Sequence, residues 1–290
     1  QFVGYGYDGA TGVAAFVPDA LELWLSRSCQ RRLLIMFHEL YAISPFWRRT
    51  HWFSGRQKQV IKRLAALSSV AIVSGPNYAQ TLRELCPSAI VEVIPIGSNF
   101  VSVASEQQSY KKLSVFGLSR IECIRRHTSL LRGLAAGGFL EEIVLSGSSD
   151  KSVQEDEISL IGKICGSLSV KTAYNFDTDQ IPAALASCGL ALMDVDSAGL
   201  SKSTRFHLAC SLGQIAICLQ NQPPGEPLVR GMHYLDYRDN CPQKLLEEIE
   251  NEAALKLIGD QARQLSAGYF SWSNIADAWR KLLEGPPRKV

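Results

Sequence analysis

The 290-residue chain is 46% hydrophobic and 20% charged, with a formal net charge of +2. That length and apolar share suffice for two domains with separate cores, and the near-balanced charge argues against a nucleic-acid-binding surface, so any anion must be met by local loops. The eight cysteines are scattered without a CxxC pair and read as reduced, buried, small apolar side chains of a cytosolic protein, not as a disulfide or zinc framework.

The chain begins at Gln1 without a methionine, in "QFVGYGYDGATGV", and reads as an N-terminal truncation of something longer. Its glycines, with Tyr5 and Tyr7, suit a flexible loop; no strand-to-helix context makes it a dinucleotide fingerprint. "RRLLIMF" (31–37) predicts a buried strand that stops abruptly at His38 and Glu39. "SGRQKQVIKRLAAL" predicts a helix with Val60, Ile61, Leu64 and Leu67 on one face, and Ser54 and Gln57 stand at capping-box spacing. A second strand follows at "SVAIVSG" (69–75), then a helix opened by Pro76 with Tyr78, Leu82 and Leu85 inward, then a third strand at "AIVEVIPIG" (89–97). This βαβαβ order predicts a parallel sheet with helices on its faces.

The polar stretch 98–112 lacks periodicity and predicts a linker. The alternation then restarts, with strands at 113–119, 141–147, 169–175, 189–195 and 214–219 and helices around 123–136, 152–167, 179–188 and 202–212. After "NQPPGEP" the pattern is mostly helical, around 242–267 and 273–284, and the tail "GPPRKV" reads as disordered. No stretch is apolar for long enough to span a bilayer. The fold class is therefore α/β, with two Rossmann-like parallel-sheet domains. Ligands in such sheets sit beyond the carboxyl ends of the strands, so two facing domains would bound a cleft.

In their order and spacing these segments resemble the GT-B glycosyltransferases, specifically the large retaining, family 4-like group. "FHELYAISPFWRRTHWFSGRQKQVIKRLAALSSVAIVSGPNY" is similar to that group's N-terminal domain, "VEVIPIGSNF" to its crossing into the second domain, and "SVFGLS", "IVLSG" and "LALMDVDSAGLSKSTRFHLACSLGQIAIC" to the strands and nucleotide-site loop of the C-terminal domain. The resemblance covers most of the chain, without the first strand and Gly-rich loop. It implies an acceptor-side domain over 1–100, a nucleotide-sugar-binding domain over 101–272, and a C-terminal helix within 273–290 that returns to the first domain. It further implies transfer of a sugar, with retention, from a nucleotide-diphosphate sugar to a polysaccharide or glycolipid precursor, with neither metal nor cofactor. The partners it implies are the nucleotide sugar and a saccharide or lipid-linked acceptor, in the cytoplasm, with peripheral contact at the inner membrane face left open.

The candidate residues follow. In "DSAGLSKSTRF" (196–206) a strand turns into a helix, so Ser201, Lys202, Ser203 and Thr204 surround free backbone N–H groups suited to a diphosphate; the alternative is a serine-capped helix beside a solvated lysine. Gly117, Ser119 and Arg120 match, loosely, the loop that the resemblance assigns to the same diphosphate, against an exposed loop arginine as the alternative. Tyr174 and Phe176 occupy the base-contacting loop, or belong to the core. His38 orients a hydroxyl or stabilises charge near the anomeric carbon, and Glu39 takes an acceptor proton or fixes the His38 tautomer; a hydrogen-bonded structural histidine is the alternative. On the acceptor side stand Tyr5, Tyr7, Trp47 and Arg48, the last two in "SPFWRRTHWF" (44–53), which suits an acceptor, a lipid headgroup, a neighbouring chain or a plain surface loop equally. The sequence departs from the family at Leu200 and Leu208, where the pattern has two glutamates, the second of them holding the donor ribose. That departure keeps a non-catalytic GT-B-like module open, beside another sugar-phosphate enzyme such as an epimerase or phosphorylase.

Overall fold

The computed structural model describes residues 2, 8–41, 46–98, 100, 108–239 and 241–284. Two compact units emerge from the contacts: residues 1–95 with 276–290, and residues 96–275.

The first unit is built on a three-stranded parallel sheet, β1 (Leu34–Phe37), β2 (Val70–Val73) and β3 (Val91–Val93), in that order. The apolar runs "LIMF" and "VAIV" are unbroken because helices cover both faces of such a sheet. Register runs from Leu34↔Val70 to Phe37↔Val73, and Phe2 adds a parallel bridge to Phe37. Around the sheet lie α1 (Phe16–Ser26), α2 (Arg49–Leu67) and α3 (Pro76–Leu85). Phe37, Ile61, Leu64, Ala71, Val73 and Leu82 form the centre of the core. Pro76 is the first helical residue, where its missing N–H costs nothing. The expected start at Ser54 is corrected: α2 already begins at Arg49, so Ser54 and Gln57 are no capping box. Gln57 is instead buried, and its Nε2 donates to the Thr11 carbonyl at 2.7 Å.

The second unit holds a six-stranded all-parallel sheet: β4 (Ser109–Phe116), β5 (Glu142–Gly147), β6 (Ser169–Tyr174), β7 (Cys188–Asp196), β8 (Ile215–Leu219) and β9 (Tyr234–Tyr237). Their spatial order is β6-β5-β4-β7-β8-β9, so the order reverses between β4 and β7. The helices are α4 (Arg120–Arg126), α5 (Thr128–Ala136), α6 (Lys151–Cys165), α7 (Ile181–Leu185), α8 (Thr204–Leu212), α9 (Gln243–Ile249) and α10 (Glu252–Gly268). A 3₁₀ helix spans Ser197–Lys202. The last helix, α11 (Trp272–Glu284), starts in this unit, where the Trp272 indole donates to the Ser98 carbonyl at 2.7 Å. Its later residues count with the first unit, where Arg32 Nη2 reaches the Leu282 carbonyl at 3.1 Å.

Further sequence expectations change. The helix expected over 123–136 is two helices broken at His127, whose buried ring meets Tyr237 Oη at 2.7 Å and the Met193 carbonyl at 2.9 Å. The helix expected over 242–267 is likewise two, the second capped by Asn251 Oδ1 accepting from the Ala254 N–H. Strand β9 lies ahead of the expected helices, where no strand was expected; "YLDY" hides because Asp236 is buried in it, held by Arg230 Nε at 2.7 Å. All eight cysteines are free thiols, but Cys29 and Cys241 are exposed, which corrects the expectation that they are all buried. Among the described residues no helix is long and apolar enough to cross a membrane.

Candidate ligand crevice of the second unit

In an open parallel sheet, a crevice forms beyond the strand ends where the order reverses, because the connections leave on opposite faces. Here that point lies between the ends of β4 and β7, which pair through Leu113↔Leu190 to Val115↔Leu192. Two loops meet there. From β4 comes Gly117, with φ of +119°. From β7 come the 3₁₀ turn and α8.

The loops touch through Arg205, whose guanidinium lies flat against Gly117: a Cβ there would sit 2.3 Å from Arg205 Cζ. The φ favours glycine, and a side chain here would displace the Arg205 guanidinium. Arg205 also forms an ion pair with Asp194 of β7, and both side chains remain partly accessible. Arg126, at the end of α4, donates to the Asp194 carbonyl at 2.5 Å. The crevice thus brings two guanidinium groups to one residue, Arg205 to the Asp194 carboxylate and Arg126 to its backbone carbonyl, and the fork geometry of such groups matches phosphate oxygens. Arg205 was not among the sequence candidates. Its position in the first turn of α8, directly after "SKST", was the available signal.

The 3₁₀ turn is anchored from behind. Ser197 Oγ donates to the Gln222 carbonyl at 3.1 Å and accepts from the Asn221 N–H at 2.8 Å. Ser203 caps α8, its Oγ accepting from the Phe206 N–H at 3.2 Å, so the capped-helix alternative holds for that hydroxyl. Ser201 is buried, while Lys202 and Thr204 are half-buried. Ser119 is exposed beside Gly117.

Arg120 requires correction. It is buried, 1% exposed, and inaccessible to a ligand. Its Nε meets Glu157 Oε1 at 3.0 Å, with Glu157 fully buried on α6. Its other nitrogens donate to the carbonyls of Gly117, Ser146 (3.2 Å) and Ser148 (3.3 Å). Gly147, with φ of +128°, makes room for this guanidinium, since a Cβ would lie 2.6 Å from Nη1. Tyr174 joins the same network, donating Oη–H to Glu157 at 2.7 Å with its ring 5.1 Å from the Arg120 cation. Burial and the Glu157 carboxylate push the Tyr174 phenol well above its ordinary value. The Tyr174 hydroxyl is thus taken up within the fold, as the core alternative expects, while its ring stays half-buried; Phe176 is exposed nearby.

Leu200 and Leu208 are both core residues, 0% and 1% exposed, in separate clusters: Leu200 with Met193 and Phe206, Leu208 with Val144 and Leu185. Next to Leu208, His207 is fully buried and stacked on Phe270 at 3.9 Å. Burial lowers the His207 pKa to about 4.

In the first unit, His38 and Glu39 follow β1 directly, His38 half-buried and Glu39 exposed. The His38 N–H donates to the Phe2 carbonyl at 3.2 Å. Trp47 and Arg48 are exposed before α2, while Tyr5 and Tyr7 lie outside the described residues. Among the described residues no group of three or more His, Cys, Asp or Glu stands together to hold a metal.

No family model and no curated sequence matches the chain. Solved structures do. TarM superposes with a TM-score of 0.64 at 12% identity, covering 88% of this chain and 50% of its own. HepE from Anabaena, solved in complex with UDP, gives 0.64 at 15% identity, covering 92% and 76%. Sucrose-phosphate synthase from Thermosynechococcus elongatus gives 0.63 at 15%, covering 90% and 69%. The chain has the GT-B fold. It spans half the length of TarM.

Proposed function

We propose that the chain is a glycosyltransferase that moves a sugar from a nucleotide-diphosphate sugar to a polysaccharide or glycolipid precursor, with retention, in the cytoplasm. One observation carries this reading: at the β4/β7 reversal, Arg205 lies against the Gly117 turn and both Arg205 and Arg126 meet Asp194 beside the start of α8. A diphosphate there meets two guanidinium forks, the Lys202 ammonium and the positive end of α8, all aimed at the same charge. Gly117, Ser119 and Ser201–Thr204 line its approach, and Phe176 flanks the base. The fold shared with HepE, a protein solved with UDP-glucose, supports a uridine donor.

The acceptor falls to the first unit. His38 and Glu39 stand at the carboxyl end of β1, where open α/β sheets bind their ligands. Exposed Glu39 takes the acceptor hydroxyl proton and His38 orients the sugar, while Trp47 and Arg48, with Tyr5 and Tyr7, contact the acceptor. A second reading, a GT-B-like binding module without transfer, is favoured by Leu200 and Leu208, because a buried leucine supplies no acceptor for ribose hydroxyls.

Calorimetric titration with a panel of nucleoside diphosphates and their sugars, followed by a transfer and hydrolysis assay, tests both. Saturable diphosphate binding that Arg205→Gln weakens at least tenfold, with turnover of one sugar, supports the transferase. Binding without turnover of any donor supports the module. Absence of nucleotide binding overturns the site itself.

A further inference from the structure

We propose that the N-terminal ends of α1 and α2 form a surface that binds anionic lipid bilayers. The first observation is apolar exposure. Phe46, Trp47 and Trp52 are 67%, 71% and 73% exposed, the first two in the turn leading into α2 and the third in its first helical turn. Large aromatic side chains this open are unusual on a surface that meets only water. Trp and Phe prefer the interface between headgroups and acyl chains, where an apolar ring and a polar edge are both accommodated.

The second observation is charge. Between Glu39 and Glu84 the sequence has no carboxylate, while α2 alone carries Arg49, Arg56, Lys58, Lys62 and Arg63. These cations are spaced along a helix instead of forming a block, so the sequence shows no run of like charge. Arg56 is four residues beyond Trp52 and shares its exposed face, and exposed Arg48 is the N-cap residue of the same helix. The acids that face α2 come from α1. Asp19 and Glu22 both pair with Arg63, at 2.7 and 3.1 Å, farther along the helix. They leave the charge at the aromatic end positive.

The third observation is shape. A groove of about 550 Å³ opens at this end, with Val13, Ala14, Phe16 and Phe53 on its walls and Arg56 at its margin. Asp8 also lines it, but its carboxylate accepts from the Ala10 and Thr11 N–H groups at 3.1 and 3.2 Å within its own turn. An apolar groove margined by a guanidinium fits a lipid, with the acyl part inward and the phosphate on the cation. Aromatics at an interface and several cations on one helix are together the physical pattern of peripheral attachment to anionic membranes. A polyanion alone would match the cations but leave the open aromatics without a counterpart.

The experiment is flotation of the whole chain with vesicles of phosphatidylcholine, with and without phosphatidylglycerol. Binding should require phosphatidylglycerol and fall as salt rises. Arg48→Gln with Arg56→Gln should weaken it about fivefold per cation, roughly 25-fold together. Phe46→Ser, Trp47→Ser and Trp52→Ser combined should weaken it at least roughly tenfold, with an unchanged melting transition because these side chains are exposed. Brominated lipids should quench the tryptophan emission of the unmodified protein, a result that needs no variant. Absence of binding to phosphatidylglycerol vesicles at low salt, or absence of quenching, overturns the proposal. So does binding that the serine variant leaves intact, which describes a plain polyanion surface. A concentration-dependent dimer lost in the serine variant, without vesicle binding, would assign the patch to a second copy of the chain and overturn it equally.

Discussion

Replacing Arg120 with methionine should unfold the second unit early without touching its ligand crevice. The guanidinium is buried against Glu157, itself 0% exposed, and removing one partner leaves an unpaired carboxylate in the interior. Such a loss costs about 3–5 kcal/mol. The carbonyls of Gly117, Ser146 and Ser148 also lose a donor, which adds to the loss. For a unit of this size about 1 kcal/mol shifts the melting temperature by roughly 2–4 °C, so Arg120→Met should lower it by on the order of 6–20 °C. Adding Glu157→Leu removes the stranded charge and should recover part of that drop, because an apolar pair can replace a buried ion pair at little cost. Thermal unfolding of both variants, with calorimetric titration of UDP below the transition, separates structure from binding. The reasoning fails if Arg120→Met melts within about 2 °C of the parent while UDP affinity falls, since Arg120 would then be a ligand contact after all.

Other outcomes follow from the same structure. Burial holds His127 and His207 neutral, with pKa values lowered from 6.5 to about 4. The unfolded chain therefore takes up these protons first, and stability present above pH 6.5 is lost as pH falls toward 4. At pH 5 that amounts to on the order of 2 kcal/mol per ring, measurable by urea unfolding at pH 7 and 5, and His207→Leu should flatten the dependence. Lys202→Ala should weaken nucleoside-diphosphate binding about ten- to a hundredfold, as expected for a charge-assisted hydrogen bond, and change nucleoside binding far less; titration of UDP and uridine checks it. His38→Ala should slow transfer while donor affinity stays nearly the same, and full turnover in the variant would remove His38 from the chemistry.

The sheet elements were legible because parallel strands covered on both faces are unbroken apolar runs. "VAIV" and "LIMF" announce themselves. β9 did not, since Asp236 interrupts "YLDY" and only the Arg230 contact makes that position tolerable inside. α1 was missed as well: with Pro18 in its first turn and both Leu23 and Trp24 exposed, "FVPDALELWLS" lacks a clean apolar stripe. The joints between helices at His127 and Asn251 were invisible for a related reason. His127 is held by hydrogen bonds to Tyr237 and Met193, distant in sequence, whereas Asn251 caps the next helix locally, with no Gly or Pro to mark the break. At the site, the sequence identified the right segments but not which side chains would face outward. A motif gives a charge its address along the chain, whereas burial depends on what the neighbouring elements bring.

Arg120 and Arg205 show this division most sharply. Both are arginines near the end of a β-strand, and both lie against a glycine of positive φ. What separates them is the company each keeps. Around Arg120, Gly117 follows strand β4 and Gly147 ends β5, and the space without side chains admits a guanidinium between them. α6 then delivers Glu157, and the strand ends deliver three carbonyls, so the donors are occupied inside the fold. Arg205 lies in the first turn of a helix, reaches across the crevice to Gly117, and pairs with the partly accessible Asp194. That pair is partly open to solvent, so Arg205 can exchange its carboxylate for a ligand phosphate without stranding a charge in the interior. The Arg120 pair cannot, because extracting it would strand Glu157. The internal arginine therefore fixes the shape of the Gly117 loop, and the accessible one remains available to the anion that the loop admits.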